Sequence, residues 1–435
     1  MRYRIISEQA DRTVRWLAVA LVFAIPISTA LDGVLLALIL LLWLASAGYR
    51  EKLHNIRHNP VARAALALLA MIAIGTLYGS GSLTETLNYG GKYASLLYLI
   101  LLIPLFRDER TRRHGMAAFI AAMLLTLALS YLLALRLLPV GNWMWGTPTD
   151  AAIFKDHITQ NILMAYLAFV CAMNARAAPT LRARIIWWTL VALAVFDVLF
   201  LVQGRSGYLV LALLIPYFLY EWRRWQGLAI AAVVTVLLGS VGYLASTTMH
   251  VRVNEAVNEY IGWRHGHDKG TPIGLRMGFY QNSLAIIRKH PVFGVGTGGF
   301  VHAYAKQVKG TSFPMTTNPH NQFLLTAIEL GVIGLVLLLY LFYTQWHAAR
   351  MLTPRDRVLA RALILTIASG SLVNSLLIDQ TERLFFELLS ALLYGGLVST
   401  AASLPHCTGD SAPLKKRKSN DSSVIDFISS SNGQG

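Results

Sequence analysis

The sequence predicts an all-α polytopic integral membrane protein with about twelve transmembrane helices, and three observations carry that prediction. Of its 435 residues 55% are hydrophobic and 14% charged, with a mean hydropathy of +0.51, a composition outside the range of soluble domains. Apolar runs long enough to cross a ~30 Å hydrocarbon layer recur along the chain: residues 14–30, 32–48, 61–79, 92–106, 115–135, 159–175, 185–202, 207–220, 228–246, 320–342, 359–378 and 384–403. When the connecting loops are assigned alternately to the two sides, about 25 Lys and Arg fall on one side and five in the short loops of the other. By the positive-inside rule this places both termini in the cytoplasm. The same partition accounts for the formal charge of +16 without invoking nucleic acid.

Taken in order, Arg2, Arg4, Arg12 and Arg15 precede an apolar run with no small-residue cleavage site, which predicts a retained first helix. The loop 79–93 is glycine-rich and reads as an ordinary connector or a re-entrant turn. Before the sixth span, Trp143 and Trp145 read as interfacial aromatics. Lys155, Asp156, His157, Gln160 and Asn161 then crowd the outer mouth of that span, as a solvated helix start or as substrate contacts. Asp197 lies inside the seventh span, where a carboxylate is costly, so it is either functional or held by a neighbouring helix. Gln203, Gly204, Arg205, Ser206 and Gly207 interrupt the next apolar stretch. An arginine flanked by glycines at the outer end of a tight hairpin suits anion binding better than snorkelling.

Residues 247–319 are the long polar segment of the chain, between transmembrane helices 1 to 9 (1–246) and helices 10 to 12 (320–403). Their aromatic content predicts a folded helical cap rather than a connector. Arg276 opens an amphipathic stretch that ends at Pro291, and the run Gly294 to Gly299 reads as a tight turn with exposed N–H groups able to hold an anion. It lacks the Lys-Ser/Thr of a nucleotide-binding loop. The cap is basic: Arg252, Arg264, Lys269, Arg276, Arg288, Lys289, Lys306 and Lys309 outweigh Glu255, Glu259 and Asp268, which favours an anionic substrate. His320 stands where the tenth span emerges, followed by Asn321, and Glu329 lies deeper in that span. Asp379 and Glu382 return carboxylates to the outer mouth, and residues 404–435, with Lys415–Lys418, read as a disordered cytoplasmic tail. Cys171 and Cys407 suggest neither a disulfide nor a metal site.

Arg205 in QGRSGY, Arg276 in GLRMGFY, the HPVFGVGTGGF turn and NPHNQFLLTAIELG together resemble the bacterial O-antigen ligase family of inner-membrane glycosyltransferases. The resemblance implies a periplasmic cap between helices 9 and 10. It also implies transfer of a glycan from an undecaprenyl diphosphate carrier to a sugar of lipid A-core oligosaccharide. Carried across, its two essential arginines fall on Arg205 and Arg276, its histidine on His320 and its late periplasmic aspartate on Asp379. Guanidinium groups suit a departing diphosphate, and an imidazole of ordinary pKa about 6.5 suits proton removal from an acceptor hydroxyl. Lys155, His157, Gln203, Tyr280, Asn321 and Asp379 are the expected substrate contacts. No Asp-x-Asp pair occurs, which predicts a metal-independent reaction without cofactors, in which arginines replace the cation. The alternatives are an O-antigen polymerase using the same donor and a polysaccharide transporter.

Overall fold

The computed structural model describes residues 2–46, 48–245, 247–265, 267 and 270–397. Asp268, Lys269, the side chains of Arg2, Arg4 and Arg252, Cys407 and the expected tail with Lys415–Lys418 lie outside the described residues. Among the described residues the regular secondary structure is helical, apart from an isolated bridge between Thr147 and Asp150.

The first part comprises α1 (Arg2–Ala24), α2 (Thr29–Ala45), α3 (Tyr49–His58), α4 (Pro60–Leu77), α5 (Leu83–Ala94), α6 (Leu96–Leu102) and α7 (Glu109–Ala134). After a long loop come α8 (His157–Ala177), α9 (Leu181–Phe196) with a π-helical extension over Asp197–Leu201, and α10 (Arg205–Ala245). The segment expected as a cap holds α11 (Thr247–Arg264), α12 (Pro272–Lys289) and α13 (Phe300–Val308). The chain then runs through α14 (Gln322–Ala348), α15 (Pro354–Gly370) and α16 (Gln380–Tyr394).

Among the described residues seven helical segments are long and apolar enough to cross a membrane, against a dozen apolar runs in the sequence. The difference has local causes. The 41 residues of α10 include Arg224 at φ 55 and ψ −131, so the run is two helical segments joined at a non-helical residue. Helices α2 and α15 have 17 residues each and α16 has 15. Helix α15 is short because the apolar sequence 371–378, expected to continue the eleventh span, forms turns instead.

Helix α8 is the pillar of the bundle: every residue from Thr159 to Ala172 is buried. Tyr166 meets Phe119 of α7 and Phe385 of α16 edge-on, with centroids 5.8 and 5.4 Å away, the geometry aromatic pairs prefer. The carboxyl of Asp197 accepts a hydrogen bond from Ser130 of α7, which is the structural one of its two readings. The glycine-rich loop is ordered rather than a plain connector, since Ser82 and Glu85 form a capping box that starts α5.

One backbone pairing connects α14 to the segment before it. Helix α14 breaks at Gly331 (φ 65, ψ −162), which frees carbonyls in the previous turn. The turn 291–299 supplies them with donors: Val295 N–H to Ile328 O and Gly296 N–H to Glu329 O, both at 2.8 Å. Gly298 N–H donates to the Glu329 carboxylate at 3.0 Å, and Thr297 N–H to Gly75 O of α4, also at 3.0 Å. The N–H groups of Val295, Gly296, Thr297 and Gly298, expected to be exposed, are therefore spent on partners within the protein. Buried backbone in an apolar surround tolerates no unpaired donor or acceptor, so turn and break require one another.

A methyl group at Gly331 would lie 2.1 Å from Val292 O, at a φ that side chains rarely adopt. Gly331→Ala is therefore expected to destabilise the protein by about 2 kcal/mol or more. Gly33→Ala in α2, where a Cβ meets nothing within 4 Å, serves as the control. Melting of both purified variants in detergent measures the difference.

Candidate functional site

The turn carrying Arg205 is clamped to the start of α8. The Asn161 amide donates to Val202 O at 3.1 Å and to Gly204 O at 2.9 Å. A Cβ at Gly204 would sit 2.3 Å from His157 O, so glycine is what lets the turn lie against α8. Gln203 fastens the other side: its N–H donates to Asp150 Oδ1 and its amide to Thr149 O, both at 2.9 Å. Asp150 Oδ2 also faces His157 Nδ1 at 3.5 Å. Gln203 and His157 thus brace the loop before α8. Arg205 begins α10, and its Nη2 reaches Glu255 Oε2 of α11 at 3.5 Å, a long contact.

Helix α12 delivers the second arginine. Thr271 caps it, Pro272 occupies its first turn, and Ile273 N–H donates to Glu259 Oε2 of α11 at 2.8 Å. Arg276 is half-buried and closes no hydrogen bond or ion pair with any described residue. Burial holds its guanidinium below the usual arginine range; Tyr280 nearby opposes this, while the charge of Arg205 adds to it. Two cations thus share one region with little protein charge to neutralise them.

His320 stands beside them in an unusual backbone state. Expected at the start of the helix, it lies before Asn321, the cap of α14, at a left-handed φ of 54. Such strain persists only where the surroundings over-determine it, and here they do. His320 N–H donates to Asn318 Oδ1 at 2.8 Å, the Tyr280 hydroxyl donates to His320 O at 3.1 Å, and the ring stacks on Phe279. The turn 371–378 closes the arrangement. Asn321 Nδ2 donates to Leu372 O, which shares the single Tyr280 hydroxyl proton with His320 O, Gln322 N–H donates to Ser371 O, and Leu377 N–H donates to Gln322 Oε1.

From that turn Asn374 connects histidine to aspartate. Asn374 Nδ2 donates to Asp379 Oδ2 at 3.0 Å, which leaves Asn374 Oδ1 facing His320 Nδ1 at 3.3 Å. An amide oxygen only accepts, so the ring carries its proton on Nδ1 and presents Nε2 as the basic nitrogen. Asn374 escaped the sequence reading because it sits in an apolar run; a lone amide in SLVNSLLID was the available clue. Burial pushes the His320 pKa below its ordinary value; the Asn374 bond opposes this, and the charge of Arg276 adds to it. Burial and the neighbouring Asp156 push Asp379 up to about 6.

Arg205, Arg276, Tyr280, His320 and Asn321 therefore form one constellation, which Asn374 joins to Asp379. Lys155 lies with Asp379 around an adjoining cavity. Among the described residues no group of three or more His, Cys, Asp or Glu is placed to hold a metal ion.

Residues 189–339 match the family model described as O-Antigen ligase, a segment containing Arg205, Arg276 and His320. The match covers about a third of the chain and is a similarity of that segment to the O-antigen ligase family. The similarity accompanies seven helical segments, among the described residues, long and apolar enough to cross a membrane. A protein of Haemophilus influenzae described as uncharacterized is 24% identical over 149 residues, 32% of this chain. The chain spans 37% of that relative's length.

The tautomer gives a test that needs no substrate. Nitrogen NMR of histidine-labelled protein is expected to show His320 protonated on Nδ1 when neutral, with a titration midpoint below the ordinary value of about 6.5. In Asn374→Ala the tautomer preference should disappear.

Proposed function

We propose that the protein is a periplasmic-face glycosyltransferase that moves O-antigen from undecaprenyl diphosphate to a sugar of lipid A-core oligosaccharide. The observation that carries this reading is Arg276, a half-buried guanidinium without a protein acceptor, within electrostatic reach of both Arg205 and His320. A like-charged pair of this kind is stabilised by an anion between its members, and forked donors match diphosphate oxygens. The topology proposed with it has twelve crossings in the bacterial inner membrane, both termini cytoplasmic, and residues 247–319 as the periplasmic cap.

In this reaction the acceptor hydroxyl oxygen forms a bond to the anomeric carbon on the face opposite the diphosphate. The bond from that carbon to the diphosphate oxygen breaks, and its electron pair leaves with the diphosphate, where Arg205 and Arg276 meet the developing charge. His320 Nε2 takes the hydroxyl proton. Asn374 and Asp379 keep the ring in its tautomer, as the third member does in other histidine-based catalytic groups. One displacement inverts the configuration, with no cofactor or metal. Asn321 stands at the same centre, Gln203 and His157 act through the loop they brace, and Lys155 lies in the adjoining cavity.

His320→Ala is expected to lower turnover about 100-fold or more, and Arg276→Lys, which keeps charge but loses the fork, about tenfold or more. Both are measured with purified protein, carrier-linked glycan and lipid A-core, with chelator present. Capped lipopolysaccharide identifies a ligase, and elongated carrier-linked chains a polymerase. Retention of anomeric configuration, or an active His320→Ala enzyme, overturns the mechanism. The depressed His320 pKa also fixes a pH dependence. The base works when unprotonated, so kcat/KM should hold as pH falls and decline only below about 6.5, the midpoint of a free imidazole.

A further inference from the structure

A cavity of about 590 Å³ opens on the other side of Asn374 from the His320 ring, within the ~300–1,000 Å³ typical of small-ligand sites. Trp145 and Phe154 offer apolar faces to it, and Asp379 and Glu382 offer carboxylates. Its fifth feature is Lys155, in the wall and only 8% exposed. No described residue closes a hydrogen bond or ion pair with its ammonium group; Asp32, Glu382 and Asp156 act on it only at longer range.

Each part has a counterpart in sugar chemistry. Carboxylate oxygens accept hydrogen bonds from hydroxyl groups, and aromatic faces pack on the C–H surface of a pyranose. Lysine differs, because it has three N–H donors and no acceptor. Burying an ammonium without a close partner is costly unless an anion arrives. The loop that carries Lys155 is itself firmly built, with Ile153 N–H donating to Gln160 Oε1 at 2.7 Å and Asp156 capping α8. The amine is therefore held in place before any ligand binds.

We propose that this cavity seats the acceptor sugar and that Lys155 receives an anionic substituent of that sugar, phosphate or carboxylate. The proposal rests on the transferase reading above and specifies its acceptor. Asn374 is shared by the cavity wall and the His320 ring, so a sugar bound there lies one side chain from the base. The arginine pair, on the other side, is left to the donor.

The test is binding without donor, using full-length protein in nanodiscs and deacylated core oligosaccharide as probe. The oligosaccharide is supplied intact, stripped of phosphate, or reduced at its carboxyl groups. Wild type is expected to bind the intact probe about tenfold more tightly than one of the two treated forms, and which form loses affinity identifies the anion. Lys155→Met should erase that preference and Lys155→Arg should keep it. Trp145→Ala, at a residue 71% exposed, should weaken all three forms alike without depending on refolding of a buried site. A charge preference that survives Lys155→Met, or wild type indifferent to both treatments, overturns the proposal. Because no donor is present, binding with the expected preference but no transfer product would sink the transferase reading and leave the cavity standing. Transfer with an unchanged preference in Lys155→Met would do the reverse.

Discussion

The arrangement of this protein depends on the pairing between a broken helix and the turn that repairs it. Where α14 leaves helical geometry at Gly331, freed carbonyls in the previous turn and the carboxylate of Glu329 would be stranded in an apolar surround. The glycine turn after α12 brings N–H groups to all of them. Because the turn follows directly on α12, the pairing fixes α12 against α14. Arg276, Phe279 and Tyr280 ride on one of these helices, and His320 immediately precedes the other. A slip of one helical turn, about 5.4 Å, would separate the arginine from the imidazole.

A second tie acts from the opposite side. The turn after α15 spends its polar groups on Asn321, Gln322 and Tyr280, and in doing so carries Asn374 to the histidine. The imidazole is thereby held by three independent parts of the chain: its own Asn318 turn, α12, and the segment between α15 and α16. Protein interiors move between discrete packings more readily than they deform, so such triple restraint favours a fixed ring over a mobile one. That suits an imidazole whose proton is held on one chosen nitrogen.

Much of this was legible in the sequence, for identifiable reasons. Arg205 stood out because glycines flank a charge at a membrane mouth, and Arg276 because it begins an amphipathic stretch in a basic segment. The helical character followed from composition. Other features were hidden because the relevant partners are remote. Nothing in HPVFGVGTGGF reveals that its N–H groups face a break near Gly331, and nothing in SLVNSLLI distinguishes a turn from a helix. Apolar content is the same in both; the turn is held by Gln322, 55 positions before the Leu377 N–H it accepts from. Apolar runs and helix lengths differ for a related reason, since a non-helical residue at Arg224 and a turn after α15 change lengths without changing hydropathy.

The left-handed backbone at His320 has a practical side. Alanine there removes the ring but keeps a Cβ that disfavours the required φ, so its effect mixes chemistry with conformational strain. Glycine accepts that φ freely and leaves a ring-shaped gap between Phe279 and Asn374. A free imidazole diffusing into that gap would meet the same stacking face and the same amide oxygen, so a glycine variant at this position is the natural host for chemical complementation.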